Sequence, residues 1–118
     1  MANARISLSV NLTNDTGRGA YLAAFHAAQA FMFERTGKIT KTHKGVHTEF
    51  ARLVNAGSEL DGGLPAFLQR AYNLKAVADY ETGPDSEITR ERAAVAADGA
   101  AAFVEAIRNA LALPRQDG

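Results

Sequence analysis

The stretch from residue 19 to residue 35, GAYLAAFHAAQAFMFER, constrains the fold of this chain most strongly. After Gly19 it contains no helix breaker, and its large apolar side chains recur at the three- and four-residue spacings typical of a helix. Those side chains are Tyr21, Leu22, Phe25, Met32 and Phe33. Most other positions are alanine until Glu34, so the predicted helix is apolar nearly all round. We expect such a helix at the centre of a bundle, enclosed on every side.

The composition predicts one domain, residues 1–118, without disulfides. A chain of 118 residues is long enough to bury a core of its own, and the absence of cysteine excludes thiolate metal sites. No apolar run approaches the roughly 20 residues that cross a bilayer, and the N-terminus lacks the apolar centre of a signal peptide. We therefore expect a cytoplasmic protein that makes no membrane contact.

Positive charge is concentrated in one run, although the chain as a whole has no net charge. Residues 35–47, RTGKITKTHKGVH, carry four fixed positive charges, two histidines and no acid. A loop that ends at a helix N-terminus offers both cations and free amide groups to an anion. No aromatic residue within the run would stack on bases, so a solvated loop and a nucleic-acid contact are both open interpretations.

The segment before the central helix gives an ambiguous pattern. Residues 5–12, RISLSVNL, alternate between apolar and polar side chains, which alone predicts a strand. A lone strand in a helical chain has no partner to pair with, so a short helix is the favoured interpretation. Asn14, Asp15 and Thr16 then predict a turn and an N-cap for the central helix.

Three further helices are predicted after the basic run, over residues 42–56, 64–80 and 87–113. Val46, Phe50, Leu53 and Val54 form the expected inner face of the first, and Ile88, Val95, Phe103, Ile107 and Leu111 that of the last. The predicted caps and stops are Gly37, Thr42, Gly57, and Asp85 or Ser86. Pro65 suits the first turn of the helix over residues 64–80. The fold class is therefore all-α, an up-and-down four-helix bundle with a short N-terminal helix.

His43 and His47 are four residues apart, so a helix presents both rings on one face. Such a pair holds a divalent metal only if a third ligand joins it. The candidates for that ligand are His26, Asp79 and Glu49. The neighbouring Lys41 and Lys44 oppose a cation, so no metal and no other cofactor is expected. The favoured interpretation is a pair of rings that hydrogen-bond the neighbouring helices.

His26 lies within the most apolar helix, where we expect a buried neutral ring with a hydrogen-bond partner. Lys75 and Asp79 are four residues apart, which predicts an ordinary helix ion pair worth about 0.3 to 0.5 kcal/mol.

Three segments in order, AYLAAFHAAQAFMFE, KTHKGVHTEF and LQRAYNLKAVADY, resemble the HEPN domain family, in its branch of small stand-alone bacterial proteins. The resemblance implies an all-helical bundle that is often dimeric. It also implies a gene frequently found beside a minimal nucleotidyltransferase, as a toxin and antitoxin pair. In active members of the family the toxin is a metal-independent ribonuclease.

Active members carry an arginine and, a few residues later, a histidine near the end of the helix that corresponds to residues 64–80. Here Lys75 and Asp79 stand at those positions, and Tyr80 follows. Lysine cannot make the bidentate hydrogen bonds that arginine makes to a phosphate. An ionised aspartate cannot replace imidazole as the acid and base of RNA cleavage. The resemblance therefore favours a non-catalytic interaction module.

We thus expect a homodimer that binds RNA or a nucleotide and a nucleotidyltransferase partner. Self-association would cover any stripe of the central helix left open, because few residues precede Asn14 to pack along it. The expected contact residues are Lys41, His43, Lys44, His47, Lys75, Asp79 and Tyr80. The alternative is a ribonuclease toxin that uses Arg35, His43 and His47 across a dimer cleft.

Overall fold

Over the residues that it describes, a computed structural model shows four helices: α1 (Ala2–Thr36), α2 (His43–Asn55), α3 (Leu64–Tyr80) and α4 (Arg90–Ala112). The structure describes the backbone of residues 2–57, 59–80 and 89–112, with the side chains of all but 2–12, 79 and 80. Within these ranges there is no strand, so the all-α bundle is confirmed. No helix in the described ranges has the length and apolarity to span a membrane.

Residues 5–12 are helical, as the favoured interpretation predicts, but they belong to α1, which is continuous over 35 residues. The strand interpretation, the separate short N-terminal helix and the predicted turn near Asn14 are therefore wrong. Tertiary contacts explain why the helix continues through this polar stretch. Arg18 pairs with Asp15 one turn earlier at 2.8 Å and also donates to the carbonyl of Ala78, near the end of α3, at 2.8 Å. The second of these bonds ties the stretch to α3. The helix also supplies its own backbone hydrogen-bond partners, which a lone strand would lack.

The central part of α1 buries the expected face but is not enclosed on every side. Tyr21, Phe25 and Met32 are buried as predicted. Leu22 and Phe33, by contrast, are 44% and 57% exposed, so their predicted inward orientation is wrong. His26 is exposed as well, with its Nδ1 3.3 Å from the side-chain oxygen of Gln29. The other helices leave this face uncovered.

The connection from α1 to α2 runs back along α1. Gly37 has the positive φ of +74° predicted for a helix stop, and the side chain of Gln29 donates to the carbonyl of Thr40 at 3.1 Å. Thr42 caps α2 as predicted, because its hydroxyl accepts from the amide of Gly45 at 3.0 Å. Helix α2 therefore begins beside the middle of α1.

Helix α2 buries Val46, Phe50 and Val54 as predicted, whereas Leu53 is only half-buried against the core. The predicted stop at Gly57 is confirmed by its φ of +97°, which only glycine adopts without strain.

Helix α3 has the predicted bounds, and α4 begins later than predicted, at Arg90. Its first turn is capped by Thr89, whose hydroxyl accepts from the amide of Arg92 at 3.1 Å. The predicted caps Asp85 and Ser86, together with Ile88, lie outside the described residues.

The inner face predicted for α4 from the spacing of its large apolar side chains is only partly correct. Phe103 and Ile107 are buried as predicted, but Val95 is 70% exposed and Leu111 is 36% exposed. The first half of α4 buries alanines instead, namely Ala93, Ala96 and Ala100, which lie in one cluster with Ala20 and Ala78. Small side chains let these helices approach closely, so the large apolar residue Val95 is left outside.

Candidate nucleic-acid interface

The first turns of α2 lie against Tyr21, which comes from α1 and is fully buried. The Tyr21 hydroxyl is 2.7 Å from Nδ1 of His43 and 3.0 Å from Nε2 of His47. The spacing of four residues places both rings on the same side of α2, as the sequence indicates. One hydroxyl thus joins two imidazoles, and the favoured interpretation of the pair, hydrogen bonding to a neighbouring helix, is confirmed.

A fourth ring, from α3, completes this cluster. The ring centre of Tyr72 lies 5.3 Å from Tyr21, 5.2 Å from His43 and 5.6 Å from His47. Phe25 packs against His43 with ring centres 5.1 Å apart. The basic run has no aromatic residue of its own, but the fold brings one to its end.

Burial affects the protonation of Tyr21 and His47. The pKa of the Tyr21 hydroxyl is raised by burial and by the neighbouring Tyr72, so the hydroxyl keeps its proton. The pKa of His47 is lowered by burial and by the neighbouring His43, and a hydrogen bond with the side chain of Gln69 partly offsets this effect. His47 is therefore stabilised in its neutral form.

An open cleft of about 280 Å³ lies beside the two histidines. Its walls come from α2 and α3 and are formed by His43, Lys44, His47, Thr48, Gln69 and Tyr72. The cleft adjoins the N-terminus of α2, where the helix dipole favours negative charge, and the side chains of Lys41 and Lys44 are exposed. The arrangement suits an anion that carries a flat ring or a sugar, such as a nucleotide unit.

Of the other residues singled out by the sequence, Arg35, Lys41 and Lys75 do not line this cleft. Arg35 pairs with Glu59, and its guanidinium lies 5.0 Å from the centre of the Phe31 ring. Lys75 is half-buried on α3, and the side chains of Asp79 and Tyr80 lie outside those described. The structure thus joins His43 to His47 and directs Arg35 to other partners.

In the part of the chain whose side chains are described, no three histidine, aspartate or glutamate side chains come together as a metal site would require. Of the third ligands considered, His26 contacts Gln29, and Glu49 bonds to Arg52 one turn later on α2.

Acidification is expected to destabilise the fold through His47. Because the pKa of this residue lies below its ordinary value near 6.5, the unfolded chain takes up a proton at a pH where the folded chain does not. The contribution to stability is present above pH 6.5 and is lost as the pH falls through the lowered folded-state pKa.

Thermal unfolding measured from about pH 7.5 down to about pH 5 checks this prediction. The midpoint should fall less steeply in His47→Gln than in the wild type. His26→Gln, which changes an exposed ring, should keep the wild-type slope. Equal slopes in the wild type and in His47→Gln would contradict the assignment.

The family model described as HEPN domain matches residues 1–110 of the chain. No curated protein and no solved structure shows significant similarity to the chain.

Proposed function

The chain belongs to the HEPN domain family, and from this premise we propose that it is a non-catalytic interaction module that binds RNA or a nucleotide at the start of α2. Helical modules of this family are often linked to ribonuclease or toxin–antitoxin functions. The proposal includes a nucleotidyltransferase as the protein partner, on the basis of the sequence resemblance.

One observation carries the RNA proposal, namely the cleft between α2 and α3. It combines an exposed ammonium group from Lys44, two imidazoles and the ring of Tyr72 with the positive end of a helix dipole. Phosphate contacts need cations and amide donors, and single-stranded bases need an aromatic surface. Both kinds of group are present within one small site.

The sequence supports the absence of catalysis. Lys75 and Asp79 stand where the ribonuclease members of the family have arginine and histidine. A carboxylate near the scissile phosphate would repel it, and no imidazole follows Lys75 at that spacing.

Removing the exposed lysine that lines the cleft should weaken RNA binding. We expect the Lys44→Gln variant to bind a labelled single-stranded RNA oligonucleotide about tenfold more weakly at low salt. It should also reduce the slope of log affinity against log salt concentration by about 0.7 per lost phosphate contact.

Fluorescence anisotropy across a salt series measures both quantities. Lys38→Gln is the matched control, because Lys38 is an exposed cation of the same loop that does not line the cleft. Equal weakening by the control, or no binding by the wild type, would refute the proposed site.

The ribonuclease alternative has one structural observation in its favour, the two imidazoles joined by Tyr21. A pair of histidines can supply both the base and the acid of RNA cleavage. The same RNA, incubated with the protein in the presence of EDTA, separates the two functions. Cleavage that disappears in His43→Gln would establish the ribonuclease, whereas the proposed module leaves the RNA intact.

The open face of α1 supports the proposal of a homodimer. Leu22, His26 and Phe33 are exposed and recur at positions i, i+4 and i+11, so they share one face of the helix. Covering Leu22 and Phe33 removes apolar surface from water at about 25 cal/mol per Å². We propose that the same stripe on a second copy of the chain packs against these residues.

Phe33→Glu is expected to raise the dimer dissociation constant at least about tenfold, because burying such a side chain contributes about 1.5 to 3 kcal/mol. Analytical ultracentrifugation measures this constant. Val95→Glu is the control, since Val95 is exposed on α4 and lies beside residues of α3. A wild-type chain that is monomeric at high concentration would refute the dimer.

A further inference from the structure

A second cavity, the α3–α4 groove, lies between these two helices and shares no lining residue with the cleft beside the histidines. It is open to solvent and has a volume of about 490 Å³. Sites for small organic molecules have volumes of about 300 to 1,000 Å³ and mainly apolar walls. The floor of the α3–α4 groove is apolar and is formed by Phe67, Ala71, Leu74, Val95, Ala96 and Gly99.

The groove exists because small side chains face each other beside a close contact of the two helices. The Phe67 ring lies so near Gly99 that an added Cβ would be 2.3 Å from it. One turn away on each helix stand Ala71 and Ala96, whose side chains are too short to fill the space between the helices. Apolar surface is therefore left open to water, and Val95, which is 70% exposed, contributes to it.

Each wall of the groove also carries an exposed arginine, Arg70 on α3 and Arg92 on α4. Among the described side chains, neither guanidinium forms an ion pair. The guanidinium of Arg70 lies 5.9 Å from the centre of the Phe67 ring, at the edge of the apolar floor. Glu91 is the one acid of the lining, so two arginines against one glutamate leave a net positive charge. The groove therefore favours an anion over a cation.

We propose that the α3–α4 groove binds a free medium-chain aliphatic carboxylate, with its chain on the apolar floor and its carboxylate at Arg70 and Arg92. A guanidinium makes charge-assisted, bidentate hydrogen bonds to a carboxylate, and covering the floor removes apolar surface from water. The lining spans residues 67–74 of α3, about 10 Å along the helix axis, which suits a chain of this length. An esterified chain lacks the charge that the arginines bind, so the free acid is the ligand.

Backbone amide NMR of the labelled protein, titrated with sodium octanoate, tests the site. We expect saturable shift changes in residues 67–74 and 91–99. Octanol carries the same chain without the charge and should bind about tenfold more weakly, because it loses both contacts with guanidinium groups. The absence of saturable changes in these residues, or equal affinity for octanol, would overturn the proposal. Neither result bears on RNA binding, since the two sites share no lining residue.

Substitutions of the charged lining residues should change octanoate affinity in opposite directions. The Arg70→Gln, Arg92→Gln double variant should bind about tenfold more weakly, and Glu91→Gln about twofold more tightly. Arg90→Gln is the matched control, because Arg90 is an exposed cation in the same first turn of α4 that does not line the groove. All four side chains are exposed, so the fold should be unaffected. Equal affinity in the double variant and the control would overturn the site.

A second copy of the chain is the other candidate occupant of the groove, and Val95→Glu distinguishes it from the carboxylate. If a second copy covered the groove, the added charge would raise the dimer dissociation constant in analytical ultracentrifugation. We expect instead that Val95→Glu leaves this constant unchanged and weakens octanoate binding, because it places a negative charge beside the ligand. A raised dissociation constant would overturn the proposal.

Discussion

The Phe103→Ala variant is expected to lose about 3 to 5 kcal/mol of its free energy of unfolding. Phe103 is fully buried and joins three helices, because its ring centre lies 5.4 Å from Phe50 of α2 and 5.9 Å from Phe67 of α3. Phe50 in turn meets Phe31 of α1 at 6.0 Å. Truncation removes the apolar contacts and leaves a cavity that rigid neighbouring rings cannot fill.

Urea denaturation followed by circular dichroism measures this loss. Val95→Ala is the matched control, since Val95 lies on the same helix and is 70% exposed. It should change the unfolding free energy by less than about 0.5 kcal/mol. A loss of less than about 1 kcal/mol in Phe103→Ala would show that α2, α3 and α4 do not meet at this ring.

Two glycine-to-alanine substitutions are expected to change stability in opposite directions. Alanine is normally favoured over glycine inside a helix by about 0.5 to 1 kcal/mol. At Gly99 of α4, however, an added Cβ would lie 2.3 Å from the Phe67 ring, which is itself packed against Phe103. At Gly19 of α1 the Cβ would meet nothing within 4 Å.

We therefore expect Gly99→Ala to lower the unfolding free energy by about 1 to 3 kcal/mol, the usual effect of overpacking. Gly19→Ala should raise it by up to about 1 kcal/mol. The same urea titration serves for both variants. Stabilisation by Gly99→Ala would mean that α3 and α4 do not approach each other at this glycine.

The sequence predicted several helix caps and helix ends correctly, because these features depend on interactions between residues close together in the chain. Thr42 caps α2, and Gly37 and Gly57 follow helices with positive φ, because each effect acts within one turn. The polar stretch near Asn14 was misjudged, since the bond from Arg18 to Ala78 that supports it spans 60 residues. Sequence patterns contain no signal for such a bond.

The exposed face of α1 and the inner face of α4 were misassigned for a related reason. Alanine is small enough for close helix packing and apolar enough for a core, so an alanine-rich helix does not indicate which face is covered. Ala20 packs with the alanines of α4, and this packing determines which faces of the two helices are buried. Leu22 and Val95 remain exposed to solvent.

The sequence predicted only part of the candidate site. The spacing of His43 and His47 predicts that they share a face, and the neighbouring lysines indicate anion binding. Tyr21 and Tyr72 were not associated with the pair, because they come from α1 and α3. An aromatic residue in an apolar helix predicts a core position, and both tyrosines also have that role.

The proposed function depends on RNA binding where α2 begins. Backbone amide NMR of the labelled protein, titrated with a single-stranded RNA oligonucleotide, tests this claim directly. We predict that the shift changes concentrate in residues 41–48 and 69–72. Changes confined to other parts of the chain, or none at saturating RNA, would contradict it.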